Sequence, residues 1–300
     1  MSRPLHIFIP PSWRAGHARQ AIEAAATARG LSAQFIGDRA TDAHVAAPAS
    51  AVNLYQQLDY VNLTPLAGDW IIVPPPGSED CVRLFQTLHP EMGRAWAVTH
   101  GSEGLAASLW LAEHGADIVT EERLLIGGHP VGFDVIQDQD RAGAPELTAF
   151  SDLNILEGET SSFTQSLLAS SPGFLTDAEG WHDLSGRARH LLSGPHIFLP
   201  AGMWRVDLEF DVDVQEGAPR LSVQWGGGAL QRTQFTTIVR ASGAYIASLE
   251  SHFDRPDAAH CLVATDAAQL QGRFRFKECR LTRVAPVHGS DAYTTLNNWA

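Results

Sequence analysis

Three hundred residues, 44% hydrophobic and 18% charged, exceed what one core usually serves and carry too little charge for disorder, so two folded domains are expected. A formal net charge of −13 argues against nucleic acid and anionic membranes as partners, because such binding rests on Lys and Arg neutralising phosphates. Lys277 is the only lysine, which leaves little scope for Schiff-base chemistry, and Cys81, Cys261 and Cys279 lack the close spacing of zinc or redox pairs.

The opening MSRPLHIFIPPSW has an apolar stretch too short for a signal peptide or a membrane span, so a cytoplasmic location is expected. Leu5 to Ile9 reads as a strand, His17 to Arg29 as an alanine-rich helix stopped by Gly30, and Ser32 to Ile36 as a second strand. That β-α-β unit implies parallel strands. A helix over Ala51 to Tyr60, a strand over Asp69 to Val73, a Pro74-Pro75-Pro76-Gly77 turn and a helix over Ser78 to Leu88 follow. Ala95 to Thr99 then reads as a strand, His100 to Gly104 as its exit loop, Leu105 to His114 as a helix and Asp117 to Thr120 as a strand. The alternation predicts an α/β domain over residues 1–150 with a Rossmann-like, mostly parallel sheet.

In such sheets ligands sit beyond the carboxyl ends of the strands. That rule selects three loops, Pro11 to His17, Pro74 to Glu79 and His100 to Gly104, and with them Trp13, Arg14, His100, Ser102 and Glu103 as ligand-binding candidates. The competing account is that Gly and Pro only end one element while Ser or Asp caps the next. Neither G-x-G-x-x-G nor a P-loop is present, so no nucleotide cofactor is expected.

Three stretches, WIIVPPPG, GLAASLWLAEHGADIV and LLIGGHPVG, give residues 69–133 an order that resembles the Clp-protease and crotonase superfamily. The resemblance implies a crotonase-like sheet, with Ser108 as nucleophile or its relic, His129 as base, and Pro75-Pro76-Gly77 near an oxyanion or acyl-group site. The residues alone better suit Ser108 as a small residue letting the helix pack on the sheet and His129 as a loop residue.

Past Asp138 the sequence turns polar, and residues 151–174 read as a linker with one short helix at Thr164 to Leu168. Met203 to Val214 alternates apolar and polar, the mark of a half-buried strand. Further strands are read at Arg220 to Trp225, Thr233 to Arg240, Ala244 to Ser251, His260 to Thr265 and Gly272 to Val284. Residues 175–286 are therefore expected to form an antiparallel, jelly-roll-like β-sandwich, followed by a 287–300 tail whose Trp299 docks or stays loose.

Glu179 to Asp183, Ser193 to Val206 and the closing Phe276 to Val284 resemble the β-sandwich carbohydrate-binding-like domains of bacterial polysaccharide-assembly proteins. That resemblance implies a glycan-binding module. Chemistry points the same way, since sugar C–H faces stack on aromatics while hydroxyls need planar hydrogen-bonding groups. Trp181, Arg187, His190, His196, Gln224 and Trp225 suit that task, although a tryptophan on a strand is more often core. No histidine pair has metal-binding helical spacing, and Asp207, Asp211 and Asp213 fit a solvated strand face, so no metal is expected.

Three functions stay open. The first is a carbohydrate-binding protein of bacterial surface or exopolysaccharide biosynthesis, whose α/β domain binds or transfers a sugar and whose partners are a glycan and an assembly enzyme. The second is a non-catalytic scaffold that homo-oligomerises, and the third a serine hydrolase or crotonase-like enzyme using Ser108 and His129. The sequence does not decide whether any reaction is catalysed.

Overall fold

The computed structural model describes residues 4–37, 52–59, 63, 70–120, 123–134, 141–150, 158, 160–163, 167–170, 176–215, 217–228, 231–284 and 294–299. The chain divides into two compact units, Met1–Asn154 and Ile155–Ala300. Among the described residues no helix is long and apolar enough to cross a membrane.

In the first unit, strands β1 (Leu5–Phe8), β2 (Ala33–Ile36), β3 (Val52–Tyr55), β4 (Trp70–Ile72) and β5 (Asp117–Ile118) form one parallel sheet in the order β2-β3-β1-β4-β5. Helix α1 (Ala15–Thr27) buries Ala15, Ala18, Ile22 and Ala26, a stripe at helical spacing, against Ile7, Leu54 and Val73. Gly30, at φ 67°, stops it while Leu31 N–H closes on the Ala26 carbonyl at 3.0 Å.

Two expectations are corrected here. Within the stretch read as a helix over 51–60, whose residues 51 and 60 lie outside the described set, Val52–Tyr55 is strand β3, buried at all four positions. A parallel strand covered on both faces shows no alternation, and so short an apolar run does not separate strand from helix. The strand expected at Ala95 to Thr99 and the loop expected at His100 to Gly104 are parts of one helix, α3 (Gly93–Glu113), which packs on α2 (Ser78–Leu88). Its glycines permit close approach rather than a turn. A Cβ on Gly104 would lie 2.8 Å from Pro11 Cδ, and one on Gly101 would lie 3.2 Å from Cys81 Cβ. A hairpin of β6 (Leu125–Ile126) and β7 (His129–Pro130) turns on Gly127 and Gly128, both at positive φ.

The second unit is built from antiparallel strands: β8 (Thr160–Phe163), β9 (Ala169–Ser170), β10 (His182–Asp183), β11 (Arg189–Leu199), β12 (Gly202–Asp213), β13 (Arg220–Gly227), β14 (Gln231–Ile238), β15 (Gly243–Phe253), β16 (Asp257–Thr265), β17 (Arg273–Val284) and β18 (Thr294–Trp299). One sheet runs β10-β17-β12-β15-β18, with β8 also on β17, and the other runs β14-β13-β16-β11-β9. Thus β8 and β9 lie in the stretch read as a linker, and Thr294–Trp299 is a strand on β15. Residues 164–166 of the expected short helix lie outside the described set. The alternation of Met203 to Val214 is reproduced in burial, with Trp204, Val206, Leu208, Phe210 and Val212 inside. Inward side chains of the two sheets meet where Trp225 Nε1–H donates to the Trp204 carbonyl at 3.3 Å and its ring meets Phe253 edge-on.

Candidate functional site

In the parallel-sheet unit the loops after β1 and β4 lie beyond the carboxyl ends of adjacent strands, and both are closed by the chain itself. The Trp13 and Arg14 amides donate to the Asp80 backbone carbonyl and Oδ2, each at 3.1 Å, while Arg14 Nη2 donates to the Asp134 carbonyl. Arg14 is thereby buried, whereas Trp13 is 44% exposed with the Arg83 guanidinium over its ring. At the start of α2 the Glu79 amide donates to the Ala142 carbonyl, and Ser78 Oγ accepts from the Ala144 amide. The Glu79 N–H that an anion would use there is already taken by the Ala142 carbonyl, and the Ser78 hydroxyl by the Ala144 amide.

Arg94 locks this arrangement, donating from two nitrogens to Glu79 and from two to Glu146 at 2.8–2.9 Å. Burial is the largest single influence on Glu146 and would raise its pKa, but the Arg94 hydrogen bonds, a backbone hydrogen bond and the Arg94 charge together outweigh it and hold the carboxyl below its ordinary range. Gly77 is required for close approach, since a Cβ there would stand 2.4 Å from the Ala142 carbonyl oxygen. Gly77→Ala is accordingly expected to cost about 1–3 kcal/mol, as overpacking does. Hydrogen exchange checks this: the Glu79 amide should lose protection in the variant, and an unchanged rate would show that residues 141–144 do not press on Gly77.

His100, Ser102 and Glu103 sit on α3, not on a strand-exit loop. Ser102 is fully buried with Oγ–H donating to the Thr99 carbonyl, and the His100 ring stacks on Trp96 at 3.9 Å between centroids. His100 and Glu103 do meet Pro11, Gln56 and Gln57 around a cavity of about 50 Å³ below the carboxyl ends of β1 and β3. That volume holds a water or two and no sugar ring. Ser108 is also wholly buried, its hydroxyl donating to the Gly104 carbonyl at 3.0 Å, while His129 is exposed on the β6–β7 hairpin. A nucleophile must reach solvent and its base, and this serine reaches neither.

In the second unit Trp225 is corrected from ligand platform to core: it is 3% exposed between the sheets. Trp181 is half-buried, with the guanidiniums of Arg273 and Arg275 lying 5.0 and 4.7 Å from its ring centroid. Arg187 and His190 are exposed, on the turn before β11 and at its start. The arginines under Trp181 belong to a charge ladder on the outer face of β12 and β17. Asp213 accepts from Arg273, and Asp211 accepts from Arg275 at 2.6 Å and pairs with Lys277 at 2.7 Å. Despite burial, these two cations hold the Asp211 carboxyl below its ordinary range.

Next to the ladder lies a groove of about 330 Å³, lined by Glu209, Ala244, Tyr245, Ile246, Lys277 and Arg280. Register between β12 and β17 shifts after Glu209, and the extra residue of this bulge is Lys277, aimed outward. Arg280 is ion-paired with Glu209. None of these groove residues was selected from the sequence, although Lys277-Glu278, two polar residues in succession within an alternating strand, marks the bulge.

No family model matches the chain, and no curated protein matches it. Among solved structures it is similar to a family two carbohydrate esterase from Cellvibrio japonicus, at 14% identity over 43% of this chain and 36% of that one, TM-score 0.27. It is also similar to TmCBM61 in complex with beta-1,4-galactotriose, at 10% identity over 41% of this chain and 88% of that one, TM-score 0.27. A third is the CBM36-1 domain of a multidomain xylanase from the hindgut metagenome of Trinervitermes trinervoides, at 10% identity over 43% of this chain and all of that one, TM-score 0.27. The chain thus spans about a third of the esterase's length.

Proposed function

We propose that this is a carbohydrate-binding protein whose glycan surface is the groove on the outer face of β12, β15 and β17. The observation that carries it is the lining: Ala244 and Ile246 offer apolar surface, while Glu209, Lys277 and Arg280 offer charged hydrogen-bonding groups already oriented by ion pairs. A sugar needs both, C–H contact on one side and directed polar groups on the other. The volume lies at the lower end of small-molecule sites, about 300–1,000 Å³. Trp181 adjoins the groove through the Arg275–Asp211–Lys277 chain and extends the surface.

The wider setting we infer is bacterial surface or exopolysaccharide biosynthesis, with the two antiparallel sheets as a jelly-roll-like sandwich and the Rossmann-like unit binding or transferring a sugar. What supports the setting is the resemblance of residues 175–285 noted in the sequence. One observation favours a second reading, a scaffold with a catalytically empty α/β unit: the α2 start is closed by residues 142–144.

Titration with a panel of bacterial glycans and sugar nucleotides, followed by tryptophan fluorescence and thermal shift, tests the proposal. Saturable binding is expected, weakened at least about tenfold by Lys277→Ala, a loss of about 1.4 kcal/mol. No response across the panel, or full binding by Lys277→Ala, would remove the groove; a concentration-dependent oligomer would then favour the scaffold.

A further inference from the structure

The outer face of the β14-β13-β16-β11-β9 sheet carries a second cluster, separate from the groove. His196 sits at a bulge in β11, where pairing with β16 shifts between Gly194 and Ile197. Its φ is 38°, a left-handed conformation that a residue with a side chain rarely adopts and that persists only when its surroundings enforce it. The ring so delivered stacks on His260 of β16, with centroids 4.7 Å apart and planes 29° apart.

Across the sheet the same row reads His260, Gly226, Arg232, since Gly226 of β13 pairs with both neighbours. Gly226 adds no side chain and is itself buried, so along this row the face presents only the imidazole pair and the guanidinium. His196 and Arg232 are exposed and His260 is half-buried. Arg232 donates Nε–H to the Gly228 carbonyl at 2.7 Å, and its terminal nitrogens have no hydrogen-bond partner among the described residues. The cations of the opposite sheet differ: Arg273, Arg275, Lys277 and Arg280 are each ion-paired. In a chain of net charge −13, an unneutralised guanidinium beside two imidazoles is where an anion gains charge-assisted hydrogen bonds.

We propose that this exposed cluster binds an oxyanion, the carboxylate or phosphate of a small ligand, at the surface, with Arg232 donating to it and the His196–His260 pair flanking it. Asp257, the carboxylate whose charge reaches His260, points away from this face. It shares the register parity of buried Ala259 and Cys261, and its Oδ2 lies 2.6 Å from where a Cβ on Gly227 would stand. Burial first, then the Arg232 charge, lowers the His196 pKa. Burial, His196 and Arg232 bring His260 down to about 4 against a smaller opposing pull from Asp257. A bound anion offsets the Arg232 field, so binding favours proton uptake by the pair and strengthens as pH falls.

The test is histidine-detected NMR of the full chain, with the two resonances assigned through His196→Asn and His260→Asn. Glucuronate, inorganic phosphate and, as neutral control, glucose are titrated at pH about 5.5 and about 7.5. Glucuronate or phosphate, but not glucose, is expected to shift both imidazoles, and Arg232→Gln to weaken that binding at least about tenfold. Tighter glucuronate binding at the lower pH is expected as well, and whichever anion acts identifies the ligand class. Both imidazoles unmoved by either anion, or Arg232→Gln binding as tightly as the unaltered chain, would overturn the proposal. Arg232 is exposed, so its variant should melt like the parent, and Lys277→Ala should bind the anion unchanged, which separates this site from the groove.

Discussion

Trp204→Ala is expected to destabilise the second unit by about 3–5 kcal/mol, a large part of the roughly 5–15 kcal/mol that holds a domain folded. Trp204 is fully buried on β12, which is hydrogen-bonded to β15 on one side and β17 on the other. Removing the ring leaves a void between the sheets and strips the Pro200 carbonyl of its partner, which now accepts from Trp204 Nε1 at 3.0 Å. Trp225 keeps its own hydrogen bond, because its Nε1–H donates to the Trp204 backbone carbonyl, which alanine retains. Urea unfolding should show an earlier transition for the second unit and an unmoved one for the first. Trp204→Phe should recover part of the loss, since it refills volume without restoring the hydrogen bond. An unshifted midpoint in Trp204→Ala would mean that the two sheets do not meet as described.

Arg94→Ala is expected to cost the first unit about 2–3 kcal/mol, less than the roughly 3–5 kcal/mol of a fully buried pair because solvent screens it. The side chain of Arg94 is 35% exposed, against 28% for Glu79 and 11% for Glu146. Its loss leaves those two carboxylates close together with nothing between them. The pH dependence has a definite sign. Glu146 titrates below its ordinary value of 4.5 in the folded chain, so it contributes stability above that value and loses it as pH falls through the folded pKa. The variant's deficit should therefore be largest near neutrality and shrink in acid, as read from thermal melts across that range. Arg94→Lys keeps the charge but not the two planar forks, and partial recovery is expected. A deficit independent of pH would show that Arg94 acts through packing alone.

How far the sequence discloses the molecule depends on whether the deciding contacts are local. Met203 to Val214 discloses its strand and its buried face because period-2 alternation is a property of neighbours. The same rule applied to Leu221, Val223 and Trp225 already places Trp225 with the core, as the structure does. Of helix α3 only the stretch from Leu105 is legible; its first half is not, because Ala97 to Leu111 is buried at most positions, which erases the amphipathic stripe, and because its glycines look like turns until Pro11 and Cys81 are seen against them. At the site, Trp181 is legible as an aromatic suited to stacking on a sugar, but the two arginines against its ring come from β17, far along the chain. Arg232, Gly226 and His260 form a row only after three strands have paired, which no local pattern discloses.

Many strand pairings of the second unit are of long sequence range, and they wait on its last strands as the protein is synthesised. Thr160 hydrogen-bonds Thr282 across 122 positions of chain, and β11 and β12 wait in the same way for β16 and β17. The first unit needs far less, because the central β1 has both neighbours once Trp70 to Ile72 is made. Pairings of such long range form slowly, since loop closure comes before any contact rewards it. Until β15 emerges, β12, twelve residues with one apolar face, lacks both of its sheet neighbours, and mispairing is the hazard of such an unpaired strand.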